Sequence, residues 1–294
     1  MPATWRARRT IARVVQVLCV ALSLSCVGEV LPASATTDVA SQGNVSATLN
    51  YQKVYPSGGN VGVPEARNAV LSIKVAEHLA YRAALYSPVC ARLCVPVAGN
   101  ASGRGNALRV LRLRPGSPDV LLGLYSGGAH CCFIDQVFSP GAGNLYVKTE
   151  IDLGDPGARV VTLPGSPYAA LVTADDTFAY AFTDFAASGL PLKIERLSGH
   201  RFIDVTRHYP YLVRADASQW LKAFYAQRSS RYQDSVGVIA AWTADEFLLG
   251  RSLSAIRFLH QQAGAGHLNS LLNPAARGST FVTLLQGFLR REGY

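Results

Sequence analysis

The apolar run Val120-Leu121-Leu122-Gly123-Leu124, closed by Tyr125-Ser126-Gly127-Gly128-Ala129-His130-Cys131-Cys132, constrains this fold more than any other stretch. Five apolar residues in a row without alternation read as a strand covered on both faces. The Gly-Gly pair then interrupts it and presents a histidine and two adjacent cysteines. Outside the N-terminal segment the only other cysteines are Cys90 and Cys94. Adjacent residues of a regular strand face opposite ways, so Cys131 and Cys132 cannot both meet a Cys90–Cys94 loop from regular strand. The spacing therefore predicts a bulge or turn at Gly127-Gly128, with at least one of the two at positive φ.

The chain before Pro210 reads as strands. Thr36 to about Asn44 is Thr, Ser, Ala and Gly, and is expected to be flexible. Val45 to Tyr51 alternates with period two, a half-buried strand. Pro56 to Asn60 is loop, Ala69 to Val75 a strand, and His78 to Tyr86 a further strand. Pro88 and Pro96 bracket the cysteine pair at 90 and 94 and keep regular structure short there.

A repeat follows. Arg109 to Leu113 leads through Gly116-Ser117-Pro118 into the run at 120–125, and Arg159 to Leu163 leads through Gly165-Ser166-Pro167 into Ala169 to Thr173. The tripeptide recurs at an offset of 49 residues. Each unit is expected to continue with an aromatic strand, Phe133–Phe138 and Phe178–Phe182, and to close at Gly143-Asn144 and Ser198-Gly199-His200. Units of this length and strand number are those of propeller blades; the alternative is two meanders sharing a turn tripeptide.

After Pro210 the period changes. Asp216-x-x-Gln219 is expected to cap a helix carrying Trp220, Leu221, Phe224 and Tyr225. Asp234 to Leu249 reads as a buried helix ending at Gly250, Ser252 opens a third, and Gly264 to Gly278 is loop. Phe281, Leu284, Leu285, Phe288 and Leu289 form one apolar helical face. Strands followed by helices give an α+β fold. Residues 36–209 form a mostly antiparallel β-repeat part, incomplete-propeller or sandwich-like, and residues 210–294 a helical subdomain.

Residues 1–35 read as a cleaved export signal. Arg6, Arg8, Arg9 and Arg13 precede the apolar stretch Val14–Val27, and Ala33-Ser34-Ala35 supplies a small-x-small site. The apolar stretch falls short of the roughly 20 residues of a membrane span, so none is expected after cleavage. Arg8-Arg9 also fits a twin-arginine signal beside the general Sec route, and Ser23-Leu24-Ser25-Cys26 is a poor lipoprotein box. The expected location is secreted or associated with the cell envelope. Only 16% of the 294 residues are charged, against a norm of about 25%, which argues for an ordered core. The leader's four arginines and one glutamate account for three of the +9 formal charges. The rest are dispersed, with no basic and aromatic interleaving that would mark a nucleic-acid groove.

Leu124 to Cys132, Ala174-Asp175-Asp176-Thr177-Phe178-Ala179-Tyr180-Ala181-Phe182, Arg201 to Thr206, and the tail with Ala240-Ala241-Trp242 and Phe247-Leu248-Leu249-Gly250 resemble uncharacterised secreted actinobacterial proteins with degenerate FG-GAP/VCBS-type repeats. The resemblance implies an exported β-repeat protein with a helical C-terminus. Members carry Asp-x-Asp-Gly-Asp calcium loops before the strands. This chain has Arg114-Pro115-Gly116-Ser117-Pro118 and Pro164-Gly165-Ser166-Pro167 there, with no carboxylate to supply a hard cation.

Cys90, Cys94, Cys131 and Cys132, with His130, supply enough donors for zinc, but in an exported chain an even cysteine count reads as disulfides. A bridge closing some forty residues would contribute roughly 3–4 kcal/mol in the chain-entropy model. A Cys–His130 nucleophile is disfavoured, because an oxidised thiol cannot attack. Asp175-Asp176 either work as acid and base or bond the neighbouring backbone in a turn. No catalytic residue, metal or cofactor is assigned, and the sequence holds no nucleophile elbow, phosphate loop or His-Glu-x-x-His helix. The candidate ligand-binding residues are Tyr125, Gly127, Gly128, His130, Asp175 and Asp176. The expected function is a non-catalytic binding or structural protein for an unknown protein or envelope ligand. The alternative is an envelope hydrolase or glycan-active enzyme using Asp175, Asp176 and His130.

Overall fold

Three antiparallel sheets are laid face on face, and four helices cover the last of them. The computed structural model describes residues 34–55, 64–91, 93–99, 105–128, 130–228, 234–271 and 273–294. Residues 1–33 of the expected leader and the loop expected at Pro56–Asn60 lie outside these. The first sheet runs β1 (Ser34–Gln42), β2 (Val45–Val54), β3 (Glu65–Val75) and β4 (His78–Ala84), each paired with the next. The second contains β5 (Val95–Pro96), β6 (Leu108–Leu111), β7 (Asp119–Gly128), β8 (Cys131–Pro140) and β9 (Tyr146–Asp152); β5 and β6 pair with successive parts of β7. The third runs β10 (Arg159–Thr162), β11 (Ala169–Ala174), β12 (Leu192–Ser198) and β13 (Arg201–Asp204). No sheet closes into a barrel among the described residues, and the fold is α+β.

The hydrophobic pattern of each strand follows from its layer. Val45, Ala47, Leu49, Leu71 and Ile73 of the first sheet pack against Val120, Leu122, Leu124, Ile134 and Phe138 of the second. The other faces of β2 and β3 stay wet, so these strands alternate. The second sheet is covered twice. Leu121 and Val137 point away from the first sheet and pack with Ala169, Leu171 and Leu197 of the third. A strand buried on both faces needs an unbroken apolar run, and β7 has one. The far face of the third sheet, with Ala170, Val172 and Ile194, packs on Val205, Tyr209 and Leu212.

Tyr209 leads into α1 (Pro210–Gln227), followed by α2 (Val236–Leu248), α3 (Ser252–Gly264) and α4 (Gly278–Arg291). Every residue of α2 from Val236 to Asp245 is buried, as an apolar helix at the centre of a bundle must be. The described sheets and helices belong to one compact unit. No helix among the described residues is long and apolar enough to cross a membrane.

Four expectations need correction. The Thr/Ser stretch after the leader is not flexible but forms β1, paired with β2 over its whole length. Its polar side chains suit a strand with one wet face, and Thr itself favours strands. Phe178–Phe182 is not a strand. Asp176–Phe178 forms a 3-10 turn, and Phe178 and Phe182 turn into the helical core beside Phe224, Ile239 and Phe281. Alternating aromatics here mark two anchors of a loop. Asp216 is not a cap, since α1 already starts at Pro210; its carboxylate instead accepts hydrogen bonds from Leu192 N (3.0 Å) and Trp220 Nε1 (2.9 Å). On α4 the buried face uses Val282 with Phe281, Leu285 and Leu289, and leaves Leu284 partly exposed.

Candidate functional site

Antiparallel order puts the β7–β8 tip, the β9–β10 connection and the long 175–191 loop at one end of the second and third sheets, so the sequence candidates share that end. At the tip, Gly127 takes φ +88° and the register shifts between Tyr125 and Gly128. A Cβ on Gly128 would lie 2.7 Å from Cys131 O, and the Tyr125 hydroxyl donates to Gly128 O. Cys132 N donates to Ser126 Oγ at 2.6 Å. The expected bulge is present and both glycines are required by it.

The Cys90 and Cys94 sulfurs come to disulfide distance (Cα–Cα 5.3 Å), and Cys131 and Cys132 lie side by side at the β7–β8 tip. No pair spans the forty residues between the two sites. Among the described residues no three His, Cys, Asp or Glu side chains converge as a metal site.

His130 is exposed, and its ring stacks on Phe185 with centroids 4.2 Å apart and meets the edge of Tyr180 at 6.5 Å. Tyr180 and Phe185 also contact each other at 5.6 Å. Tyr180 is 58% exposed and held at φ +59°, a left-handed conformation for a non-glycine residue. The histidine is therefore the point at which the β7–β8 tip touches the 175–191 loop, and it makes no hydrogen bond to a carboxylate among the described residues.

Asp175 and Asp176 lie in that loop with different surroundings. Asp175 is buried and its oxygens are occupied: Oδ1 accepts from Thr177 N (3.2 Å) and Thr177 Oγ1 (2.8 Å), Oδ2 from the Tyr294 hydroxyl (2.8 Å). The Tyr294 phenol is raised far above its ordinary range by burial and then by the charge of Asp175. Asp176 turns the other way, over Gly154, whose φ of +61° and missing Cβ leave room for the carboxyl. Burial raises the Asp176 pKa, a hydrogen bond from the Asp155 backbone opposes this, and Asp155, Asp152 and Asp175 add to it. Asp152, Asp175, Asp176, Lys193 and Glu195 line a small cavity of about 130 Å³. The three nominated groups thus share an end of the fold without converging on a common atom.

Among the buried carboxyls that escaped the sequence reading, Asp245 and Asp135 are the most perturbed. Asp245 is fully buried, and its pKa is pushed up to about 10 by burial, then by the charge of Asp216 and a hydrogen bond to it. Asp135 is also fully buried, with its carboxyl against Gly99 and Gly123, and is pushed up to about 7 by burial, opposed by the charge of Arg109. The available signal was acid inside a largely apolar run: the pair Asp245-Glu246 within Ala240 to Leu249, and Asp135 within Phe133 to Phe138.

No family model matches this chain. An uncharacterized protein of Sinorhizobium fredii is 27% identical over 138 residues, 46% of this chain and 21% of the relative. A "Probable thylakoid lumen protein" of Synechocystis is 25% identical over 136 residues, 45% of this chain and 40% of the relative. The chain spans less than half the length of either relative. No solved structure matches.

Proposed function

We propose that this chain is an exported, non-catalytic binding or structural protein whose contact face is the end formed by the β7–β8 tip and the 175–191 loop. One observation carries the reading: Asp175, the buried carboxylate best placed to act as a catalyst, already accepts three hydrogen bonds from Thr177 and Tyr294. A general base needs a free lone pair within reach of substrate. His130 is engaged with aromatic rings, which weighs against a His–Asp pair. Export is supported by the leader and by similarity to a protein named for the thylakoid lumen. Kinship with FG-GAP/VCBS-type repeats is part of the proposal, supported by two successive units each opened by a Gly-Ser-Pro turn.

Exposed Tyr180 and His130 give this end an aromatic surface suited to an envelope or protein ligand, since such rings bury large area at low entropic cost. Sedimentation of the exported protein with isolated cell envelopes tests the reading. The His130→Ala/Tyr180→Ala double variant should leave the pellet while keeping its melting temperature. Equal sedimentation of variant and parent, or an envelope-degrading activity lost in Asp175→Asn with the fold intact, would overturn it.

A further inference from the structure

The Gly-Ser-Pro repeat has a spatial counterpart. Both tripeptides lead into central strands, β7 and β11, and the second and third sheets stack, so both turns lie at the end opposite His130. The strand entrances are tied by Ala169 N donating to Arg112 O at 3.0 Å. Between the second tripeptide, Gly165-Ser166-Pro167, and the residues that lead into the first, Leu113 to Pro115, lies a cavity of about 590 Å³, bordered also by Tyr168, Arg196 and Ser198. That volume falls in the range of small-molecule sites.

No Asp or Glu lines this cavity. Arg114 is held in place, pairing with buried Asp119 at 3.2 Å and donating to Pro140 O at 2.8 Å. Arg196 lines the same cavity and has no carboxylate within ion-pair distance among the described residues. Its neighbour Glu195, on the opposite face of β12, pairs instead with Lys193 at 3.5 Å. The cavity therefore offers one neutralised guanidinium, one guanidinium without an ion-pair partner, the Ser198 hydroxyl and a tyrosine ring.

We propose that the cavity bordered by the second Gly-Ser-Pro turn and by Leu113 to Pro115 binds an oxyanion carried on a sugar-sized, hydroxyl-bearing body, with Arg196 as the anion's fork. A planar guanidinium matches carboxylate and phosphate geometry in two parallel hydrogen bonds. The Ser166 hydroxyl is engaged with the Tyr168 backbone, so the exposed Ser198 hydroxyl and the ring of Tyr168 suit the body of such a ligand. This site is separate in place and charge from the His130 end.

Calorimetric titration of the exported protein with glucose 6-phosphate, galacturonate, inorganic phosphate and glucose is the test. At least one of the two anionic sugars should bind saturably and more tightly than inorganic phosphate, and glucose should not bind. Which anionic sugar binds distinguishes phosphate from carboxylate. Arg196→Ala should weaken binding by about tenfold or more. Arg196→Lys, which keeps the charge without the fork, should fall between, and His130→Ala should have no effect. Failure of both anionic sugars to saturate, phosphate binding as tightly as they do, or affinity unchanged in a folded Arg196→Ala protein would each overturn the proposal.

Discussion

The two ends of the third sheet carry opposite charge and treat it in opposite ways. At the end nearer His130, Asp152, Asp175, Asp176 and Glu195 crowd a cavity of about 130 Å³; at the other, Arg114 and Arg196 border one of about 590 Å³. Asp175 is drawn inward, where Thr177 and Tyr294 donate to it, while Asp176 is half-buried against Gly154. Arg196, half-buried at the cavity, has no carboxylate within ion-pair distance among the described residues. A buried charge must find its partners within the protein, so the acidic end is organised by its own hydrogen bonds. The basic end has capacity left over. Inward-turned charge contributes to stability and outward-turned charge remains for recognition, and substitutions at the two ends should separate the two.

The largest effect should come from Gly154→Val. Gly154 sits at φ +61° with the Asp176 carboxyl where a Cβ would be. Backbone strain and displacement of a partly buried carboxyl should together cost more than about 2 kcal/mol, read as a lowered urea midpoint. A wild-type midpoint would show that the acidic end is loosely built, and the contrast between the ends would fail. Next in size is Tyr294→Phe, which leaves Asp175 Oδ2 without its donor. An unsatisfied buried acceptor costs about 1–3 kcal/mol, and the variant's loss of stability should lie in that range.

How much of this contrast the sequence carries depends on the scale of the signal. Layering was legible: β7 is apolar without interruption because it is covered twice, and β2 alternates because it is covered once. The turn at Gly127 and the helices beginning at Ser252 and ending at Gly250 were legible from local chemistry. What was not legible depended on contacts far apart in the chain. Phe178 and Phe182 look like strand residues until helices a hundred residues later supply their core. Asp175 looks like a catalyst until Tyr294, 119 residues away, occupies it. The arginine-lined cavity exists only because two repeats stack, which no window along the sequence contains.

Asp245 sharpens the same contrast through pH. Its folded pKa, about 10, lies above the ordinary value of 3.8, with burial the main cause and Asp216 and Glu246 contributing. The native state therefore holds a proton that the unfolded chain has released. The resulting stability is fully present below about pH 4 and is lost as pH rises toward about 10. The slope is at most about 1.4 kcal/mol per pH unit for one proton. Asp135, raised to about 7, adds in the same direction over the lower part of that window. Asp245→Asn should flatten the dependence measured by urea unfolding between pH 5 and pH 9, conditions chosen within the window. An unchanged slope would mean that other groups carry it.

The smallest effect belongs to the basic end. Gly165 has φ +85° and nothing within 4 Å of the point where a Cβ would stand. Alanine there meets only the backbone cost of a left-handed conformation, on the order of 1 kcal/mol, with no steric contribution. Gly154→Ala meets a similar backbone cost plus the Asp176 contact. Subtracting one variant from the other isolates what the inward-turned carboxyl contributes. An Asp176→Ala background supplies the control, since residues in contact are coupled and those apart are not. There, Gly154→Ala should fall to about the cost of Gly165→Ala, while Gly165→Ala should be unchanged. If Gly154→Ala stays as costly without the Asp176 carboxyl, the difference between the ends lies in the backbone and not in where the charges point.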